Sequence, residues 1–324
     1  TYELGRQPFG LASPAAWLVE AGATVHCLDL SVEPLDPARV RRAQLIGFYV
    51  PMHMGTRMAV PVIKQVRLLN PQAHICCFGL YGPMNESYLR QLGVDSIHGG
   101  EFEAGLVALA RQVAARNGKS SGPSRNGQEP LPAISLDRQE FHLPDRSNLP
   151  PLSRYARLVI ASQQQRLVGY TEASRGCKHT CRHCPIVPVY QGRFRIIAHS
   201  VVLADIRQQV RAGAQHITFG DPDFFNGPGH AIPLVDAMHR EFPGLTYDVT
   251  IKVEHLAQYG DLLSRLKETG CLFITTAVEA FDADMLTRFD KGHSLVEFEQ
   301  VVAHCREIGL DLVPTFVPFT PWTT

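Results

Sequence analysis

Arg175-Gly176-Cys177-Lys178-His179-Thr180-Cys181-Arg182-His183-Cys184-Pro185 places three cysteines on one short stretch with the spacing C-x3-C-x2-C. The apolar run Leu167–Ala173 leads into it and reads as a β-strand. Three thiolates on one loop can wrap one corner of a cubane cluster, ligating three irons and leaving the fourth open. Soft sulfur donors select iron–sulfur clusters, zinc or Cu(I). A structural zinc site is normally closed by four ligands, usually in paired C-x2-C units, and no second pair occurs here. His179 and His183 could complete such a site, so a zinc-stabilised β/α protein stands as one alternative. Otherwise the two histidines read as solvated loop residues, with His183 also placed to pack beside a cluster.

Outward from this loop the chain alternates strands and helices. Strands are expected at Leu167–Ala173, His216–Gly220, Thr246–Lys252, Leu272–Val278 and Asp311–Pro318. Helices are expected at Val201–Ala212, Ile232–Glu241, Asp261–Thr269 and Leu295–Ile308, where apolar residues recur every three or four positions. Strand–helix steps without closure predict an α/β fold, a partial (β/α)6 barrel over 167–324 whose sixth strand would lie beyond Thr324. Upstream, residues 1–115 predict a Rossmann-like doubly wound parallel sheet. Its strands are expected at Thr24–Leu30, Leu45–Val50, His74–Gly79 and Val94–His98, with Thr1–Gly10 as a loop after a strand this chain lacks. Arg116–Glu129 is Gly/Ser-rich and polar, so 116–166 reads as a linker and irregular connector.

Lysine plus arginine and aspartate plus glutamate both number 31, for a formal charge of zero. That balance argues against a general nucleic-acid or anionic-membrane binder. A hydrophobic content of 45% fits a sizeable core, and no apolar run reaches bilayer-spanning length. Cys27, Cys76, Cys77, Cys271 and Cys305 lie in apolar runs and read as buried small residues. Reduced thiols imply a cytoplasmic setting.

The cysteine loop strongly resembles that of the radical S-adenosylmethionine (SAM) superfamily, whose C-x3-C-x2-C motif follows the first barrel strand. The resemblance covers roughly 167–319. It implies a [4Fe-4S] cluster on Cys177, Cys181 and Cys184, with the open iron chelating SAM and one electron cleaving it to a 5′-deoxyadenosyl radical. It implies a one-electron donor such as flavodoxin or ferredoxin. His183 stands where the family has an aromatic residue. Gly220-Asp221-Pro222-Asp223 resembles the segment that meets the SAM amino group, without the common GGE letters. Lys252 corresponds to a partner for the SAM carboxylate, Glu279 to a residue that reaches the ribose, and Lys291-Gly292 to a recurring pair. On residue chemistry alone, Asp221 or Asp223 could equally cap a turn and Lys252 could form a surface salt bridge.

Residues 1–115 resemble the cobalamin-binding domain of one branch of that superfamily. The matching pieces are loops after strands: Pro51–Thr56 with His53, Gly79-Leu80-Tyr81-Gly82, and Gly99-Gly100-Glu101. His53, Gly79, Gly82, Gly99 and Gly100 are thereby implied in cobalamin binding. The D-x-H-x-x-G signature is absent from Glu3–Gly10, leaving His53 and His98 as nearby replacements for a cobalt ligand. RGCKHTCRHCPIVPVY, GDPDFFNGPGHA and PFTPW also resemble a radical SAM group named for a CUAEP or CCAEP tail, which this chain would lack by ending early. The resemblance implies hydrogen abstraction from a substrate, with methyl or alkyl transfer to an unactivated carbon if cobalamin binds. If it does not, the amino-terminal domain is a scaffold or recognition module. A non-catalytic corrin- or metal-binding sensor with a structural cluster is the remaining alternative.

Overall fold

The computed structural model describes residues 2–3, 5–117, 133–160 and 164–322. The chain divides into two compact units. One comprises Thr1–Gln7, Pro151–Val187 and Gln191–Thr324; the other comprises Pro8–Pro150 and Pro188–Tyr190.

The first unit is organised by a seven-stranded sheet. Gln165–Thr171, His216–Phe219, Thr246–Thr250, Cys271–Glu279 and Asp311–Phe316 run parallel in that order, as a curled half-barrel. Tyr2–Glu3 and Arg157–Val159 extend one edge antiparallel. His216–Phe219 is buried along its whole length, as a parallel strand covered by helices must be. Helix His199–Arg211 buries Val202, Asp205, Ile206 and Gln209 on one stripe. Gln209 uses its carbonyl oxygen to accept from the Tyr170 amide at 2.8 Å and its amide to reach Asp205 at 3.1 Å. Helix Leu295–Glu307 starts on a capping box between Ser294 and Glu297. At the amino-terminal end of the strands, His216 meets Asp248 at 2.9 Å and Thr246 at 2.8 Å, and the Tyr2 hydroxyl donates to the same aspartate. This polar plug lies at the opposite end of the strands from the cysteine loop.

The second unit has four parallel strands, Leu45–Tyr49, His74–Phe78, Ser96–Gly100 and Ile134–Ser135, in sequence order. Strand His74–Phe78 shows why the sheet is doubly wound. Ile75 and Cys77 pack with Ile63 and Val66 of helix His53–Leu69, whereas Cys76 and Phe78 pack with Leu106, Leu109 and Val113 of helix Glu103–Asn117. Alternate side chains of one strand thus feed two helical layers. The five cysteines outside the loop are buried and unpaired.

Two expectations need correction. Thr24–Leu30 is not a strand. Cys27 is buried and Val25 packs with it against Ala12 and Ala15 of helix Phe9–Glu20. Apolar alternation reports one-sided burial, and here a helix supplies the covering face while Leu45–Tyr49 remains the sheet edge. Thr1–Gly10 is not only a loop, because Tyr2–Glu3 pairs in the sheet and a helix begins at Phe9. The segment expected to be a linker lies, from 118 to 132, outside the described residues.

Gly100 (φ +69°) and Gly22 (φ +86°) both sit in the left-handed region, but a Cβ at Gly100 would lie 2.1 Å from the Ser135 carbonyl oxygen while one at Gly22 would meet nothing. Gly22→Ala should cost about 1–2 kcal/mol, the left-handed penalty alone. Gly100→Ala should cost more, on the order of 3 kcal/mol or above, because backbone must also move. Equilibrium denaturation compares them; equal losses would show that strand Ile134–Ser135 does not press on Gly100.

Candidate functional site

The cysteine loop leaves a short hairpin in which Ser174–Gly176 pairs antiparallel with Phe194–Ile196. Asn226 secures its start: the side-chain carbonyl accepts from the Lys178 amide at 3.0 Å and lies 3.7 Å from the Cys177 sulfur. A turn from the Cys184 amide to the Cys181 carbonyl, 3.1 Å, shapes its end. None of the three thiols is in a disulfide. Burial pushes Cys177 up to about 11 and raises Cys184 as well. A bound metal ion stabilises the thiolate form of such sulfurs, their protons passing to solvent. Two thiolates on one tetrahedral zinc sit about 3.8 Å apart. Among the described residues, the metal-capable atoms that converge within 4.8 Å are those of Cys177, His179 and Asp223, not the three sulfurs. The three sulfurs thus do not all lie within 4.8 Å of one another, a spacing that a polynuclear cluster accommodates.

Around the loop stand the carboxyl ends of the parallel strands. Gly220 ends the second of them, and a Cβ there would overlap the Tyr170 hydroxyl at 1.8 Å. Asp221 is 3% exposed and turned inward, accepting from the Ala173 amide at 2.9 Å and Ser174 Oγ at 2.6 Å. Asp223 is 1% exposed and faces the loop, with its Oδ2 3.4 Å from His179 Nε2 and 2.7 Å from His255 Nδ1. Burial alone would raise its pKa, but the two imidazoles outweigh that and hold it at about 2. Lys252 is buried rather than a surface residue, with its Nζ 2.6 Å from Glu254 and 3.1 Å from His179 Nδ1. Gly292 closes over that pair: a Cβ would meet the Glu254 carboxylate at 2.5 Å.

Glu279 forms the second tie. Its Oε1 lies 3.0 Å from His183 Nε2 and 3.1 Å from Lys291 Nζ. Burial works against its charge, yet His183 and Lys291 outweigh it and keep the carboxyl below its ordinary range. The backbone here is left-handed (φ +74°), at an irregularity in the pairing with Asp311–Phe316. A non-glycine residue in that region costs about 1–3 kcal/mol and persists where surroundings over-determine it. His183 also packs on Phe289 at 4.6 Å between ring centroids, and the Arg182 amide donates to the Phe289 carbonyl at 3.0 Å. His179 and His183, read from sequence as possible zinc ligands or as solvated loop residues, with His183 also placed to pack beside a cluster, are the side chains that tie the loop to the strand ends. Asn226, Glu254 and His255 were missed; their only sequence signal is position just after a strand end.

In the second unit, His53 begins the helix His53–Leu69 and is exposed. Gly79, Gly82, Gly99 and Gly100 gather at the carboxyl ends of the strands. Internal packing already demands glycine at two of them, since a Cβ at Gly99 would lie 2.3 Å from Pro83 and one at Gly100 would meet Ser135. Met52, Met54, Met58 and Met84 are exposed on the loops and helices that follow the strands Leu45–Tyr49 and His74–Phe78. His98 is buried with its ring beside Gly105, and burial lowers its pKa to about 4. No described helix is long and apolar enough to cross a membrane.

Residues 171–322 match the radical SAM superfamily. This segment is a radical SAM domain. The whole chain is 24% identical to a hopanoid C-3 methylase of Methylococcus capsulatus, with 98% of this chain and 62% of that protein aligned. It thus spans about three-fifths of the length of that relative. In fold it resembles the radical SAM methyltransferase TsrM from Kitasatospora setae, at a TM-score of 0.71 and 18% identity over 98% of this chain and 66% of that one. It also resembles the cobalamin-dependent radical SAM enzyme OxsB with aqua-cobalamin and SAM bound, at 0.68 and 14% over 99% and 48%. These likenesses show the fold, an α/β chain with a parallel doubly wound sheet and a curled half-barrel sheet.

Burial pushes Asp221 up to about 7, well above an unfolded aspartate at about 3.9. The folded protein therefore holds a proton that the unfolded chain has released, and stability falls as pH rises from about 4 to about 7, levelling off above. Asp221→Asn keeps an acceptor for the Ala173 amide and removes the titration. Denaturation midpoints should then lose a slope of up to ~1.4 kcal/mol per pH unit across that window; an unchanged slope would place the titration elsewhere.

Proposed function

We propose that this chain carries the cofactor-binding core of a cobalamin-dependent radical SAM methyltransferase acting on a carbon without a leaving group. The observation that carries the reading is the loop of Cys177, Cys181 and Cys184. Its thiols are in no disulfide and stand at the carboxyl ends of the half-barrel strands, and the three sulfurs do not all lie within 4.8 Å of one another. Active sites of β/α barrels form on that face. When bound, a [4Fe-4S] cluster with an open iron supplies the electron that cleaves SAM to a deoxyadenosyl radical, and cobalamin supplies a methyl carrier.

The chain's own residues bind and orient. Cys177, Cys181 and Cys184 hold the cluster, and His179 and His183 keep the loop against the strand ends. Lys252, already free of bulk water, offers an ammonium to the SAM carboxylate. Asp223 and the Gly220 carbonyl offer acceptors to its amino group, and Glu279 to its ribose hydroxyls. Asp221, facing inward, supports the strand end that carries Gly220. Methyl transfer draws support from the similarity of 98% of this chain to a protein named as a methylase. The glycine-lined strand ends of the second sheet, with His53 and the exposed methionines, offer an apolar floor for a corrin. A ferredoxin or flavodoxin fits as electron donor, and eight unpaired cysteines fit a reducing compartment such as the cytoplasm.

Anaerobic reconstitution tests the reading. The protein should take up about four irons with sulfide, retain hydroxocobalamin through gel filtration, and release 5′-deoxyadenosine from SAM only with reductant. Replacing the three cysteines together with alanine should abolish iron uptake and SAM cleavage. Cleavage by that variant, or a metal-free parent that takes up no iron on reconstitution, contradicts it.

A further inference from the structure

The atoms that do converge at the loop share only Cys177 with the three cysteines. Cys177 Sγ, a nitrogen of His179 and a carboxylate oxygen of Asp223 lie within 4.8 Å of one another. His179 Nε2 and Asp223 Oδ2 are 3.4 Å apart. Two ligands each about 2.0–2.1 Å from a tetrahedral ion are separated by about 3.3 Å, so this pair already has the required span. His179 Nε2, Asp223 Oδ2 and His255 Nδ1 are buried, yet none is aligned into a hydrogen bond. In a low-dielectric site such groups are destabilised unless something accepts their lone pairs. Glu254 Oε2 lies 3.6 Å from His179 Nδ1, where metal-bound histidines commonly have an outer carboxylate that fixes the tautomer. His255 Nδ1, 2.7 Å from Asp223 Oδ2, orients the carboxylate from its other side.

We propose that the cluster-free protein binds one borderline-soft divalent ion, of the Zn²⁺ class, through Cys177, His179 and Asp223, with water in the fourth position. A thiolate, an imidazole and a carboxylate form a donor set that such an ion accepts. On binding, Lys252 releases His179 Nδ1 and keeps its bond to Glu254. The Cys177 proton leaves to solvent. Cys181 and Cys184 take no part. The site goes beyond the proposed function and does not depend on it, but it shares Cys177 with the cluster. The single ion and the cluster are therefore mutually exclusive, and zinc loaded first slows iron uptake.

The test uses Co²⁺ on the cluster-free full chain carrying Cys181→Ala and Cys184→Ala. These replacements remove two cluster ligands and leave the proposed site whole. A near-ultraviolet sulfur-to-cobalt band together with intense visible bands of four-coordinate cobalt is expected. Adding Cys177→Ala should abolish the sulfur band, and Asp223→Asn should weaken binding at least tenfold. A cobalt–sulfur band that survives Cys177→Ala overturns the proposal, as does unchanged affinity in Asp223→Asn. X-ray absorption on the zinc-loaded parent chain guards against variants that fail to fold. One sulfur at about 2.3 Å with nitrogen and oxygen at about 2.0–2.1 Å is expected, and three sulfurs would show the ion on all three thiols instead. Failure of SAM cleavage by the reconstituted parent bears only on the proposed function.

Discussion

Two histidine ties govern this structure. A loop that bears three unpaired thiols has no disulfide to hold it, and its sequence offers little apolar surface to bury. It is held because His179 reaches Asp223 and Lys252, and His183 reaches Glu279. The first tie ends just beyond the strands His216–Phe219 and Thr246–Thr250 and the second on the last residue of Cys271–Glu279, so the loop is fixed at two places. Buried pairs of this kind add little when compared with apolar packing, but removing one partner costs about 3–5 kcal/mol because the other charge is stranded. Their value is geometric: they specify where the thiols sit. Glu279 shows what the arrangement demands, since a left-handed glutamate at a strand irregularity is held there by His183 and Lys291.

The same side chains have two tasks that compete. Asp223, Lys252 and Glu279 are the groups proposed to meet SAM, and they now face histidines of the loop. A ligand that arrives with an ammonium and a carboxylate can take over these partnerships without moving the strands. The charges are thus kept out of water and oriented beforehand, and preorganisation of this kind lowers the ordering cost of binding. It also explains how one buried carboxylate, Asp223, can serve either a cofactor or a single metal ion.

Much of this was legible in the sequence. The five parallel strands of the half-barrel follow from apolar runs separated by amphipathic helices, and buried parallel strands give the strongest such signal. The cysteine spacing marked the loop because three soft donors in that interval have few structural uses. Thr24–Leu30 misled because alternation records burial of one face and says nothing about a pairing partner. The hairpin Ser174–Gly176 with Phe194–Ile196 was hidden because its strands are short and separated by the loop itself. His179 and His183 were hidden for a related reason. Their partners lie 44 to 96 residues away, on strand ends that only the folded sheet brings near. Gly99 and Gly100 were read as making room for a corrin, whereas Pro83 and Ser135 already require their small size.

The central claim is that the cysteine loop leaves an iron open to SAM. Low-temperature electron paramagnetic resonance of the reduced, anaerobically reconstituted protein, with and without SAM, tests it most directly. The account predicts a [4Fe-4S]⁺ signal whose g-values shift when SAM is added, because the cofactor binds the cluster itself. A cluster signal indifferent to saturating SAM would contradict it and identify the cluster as structural.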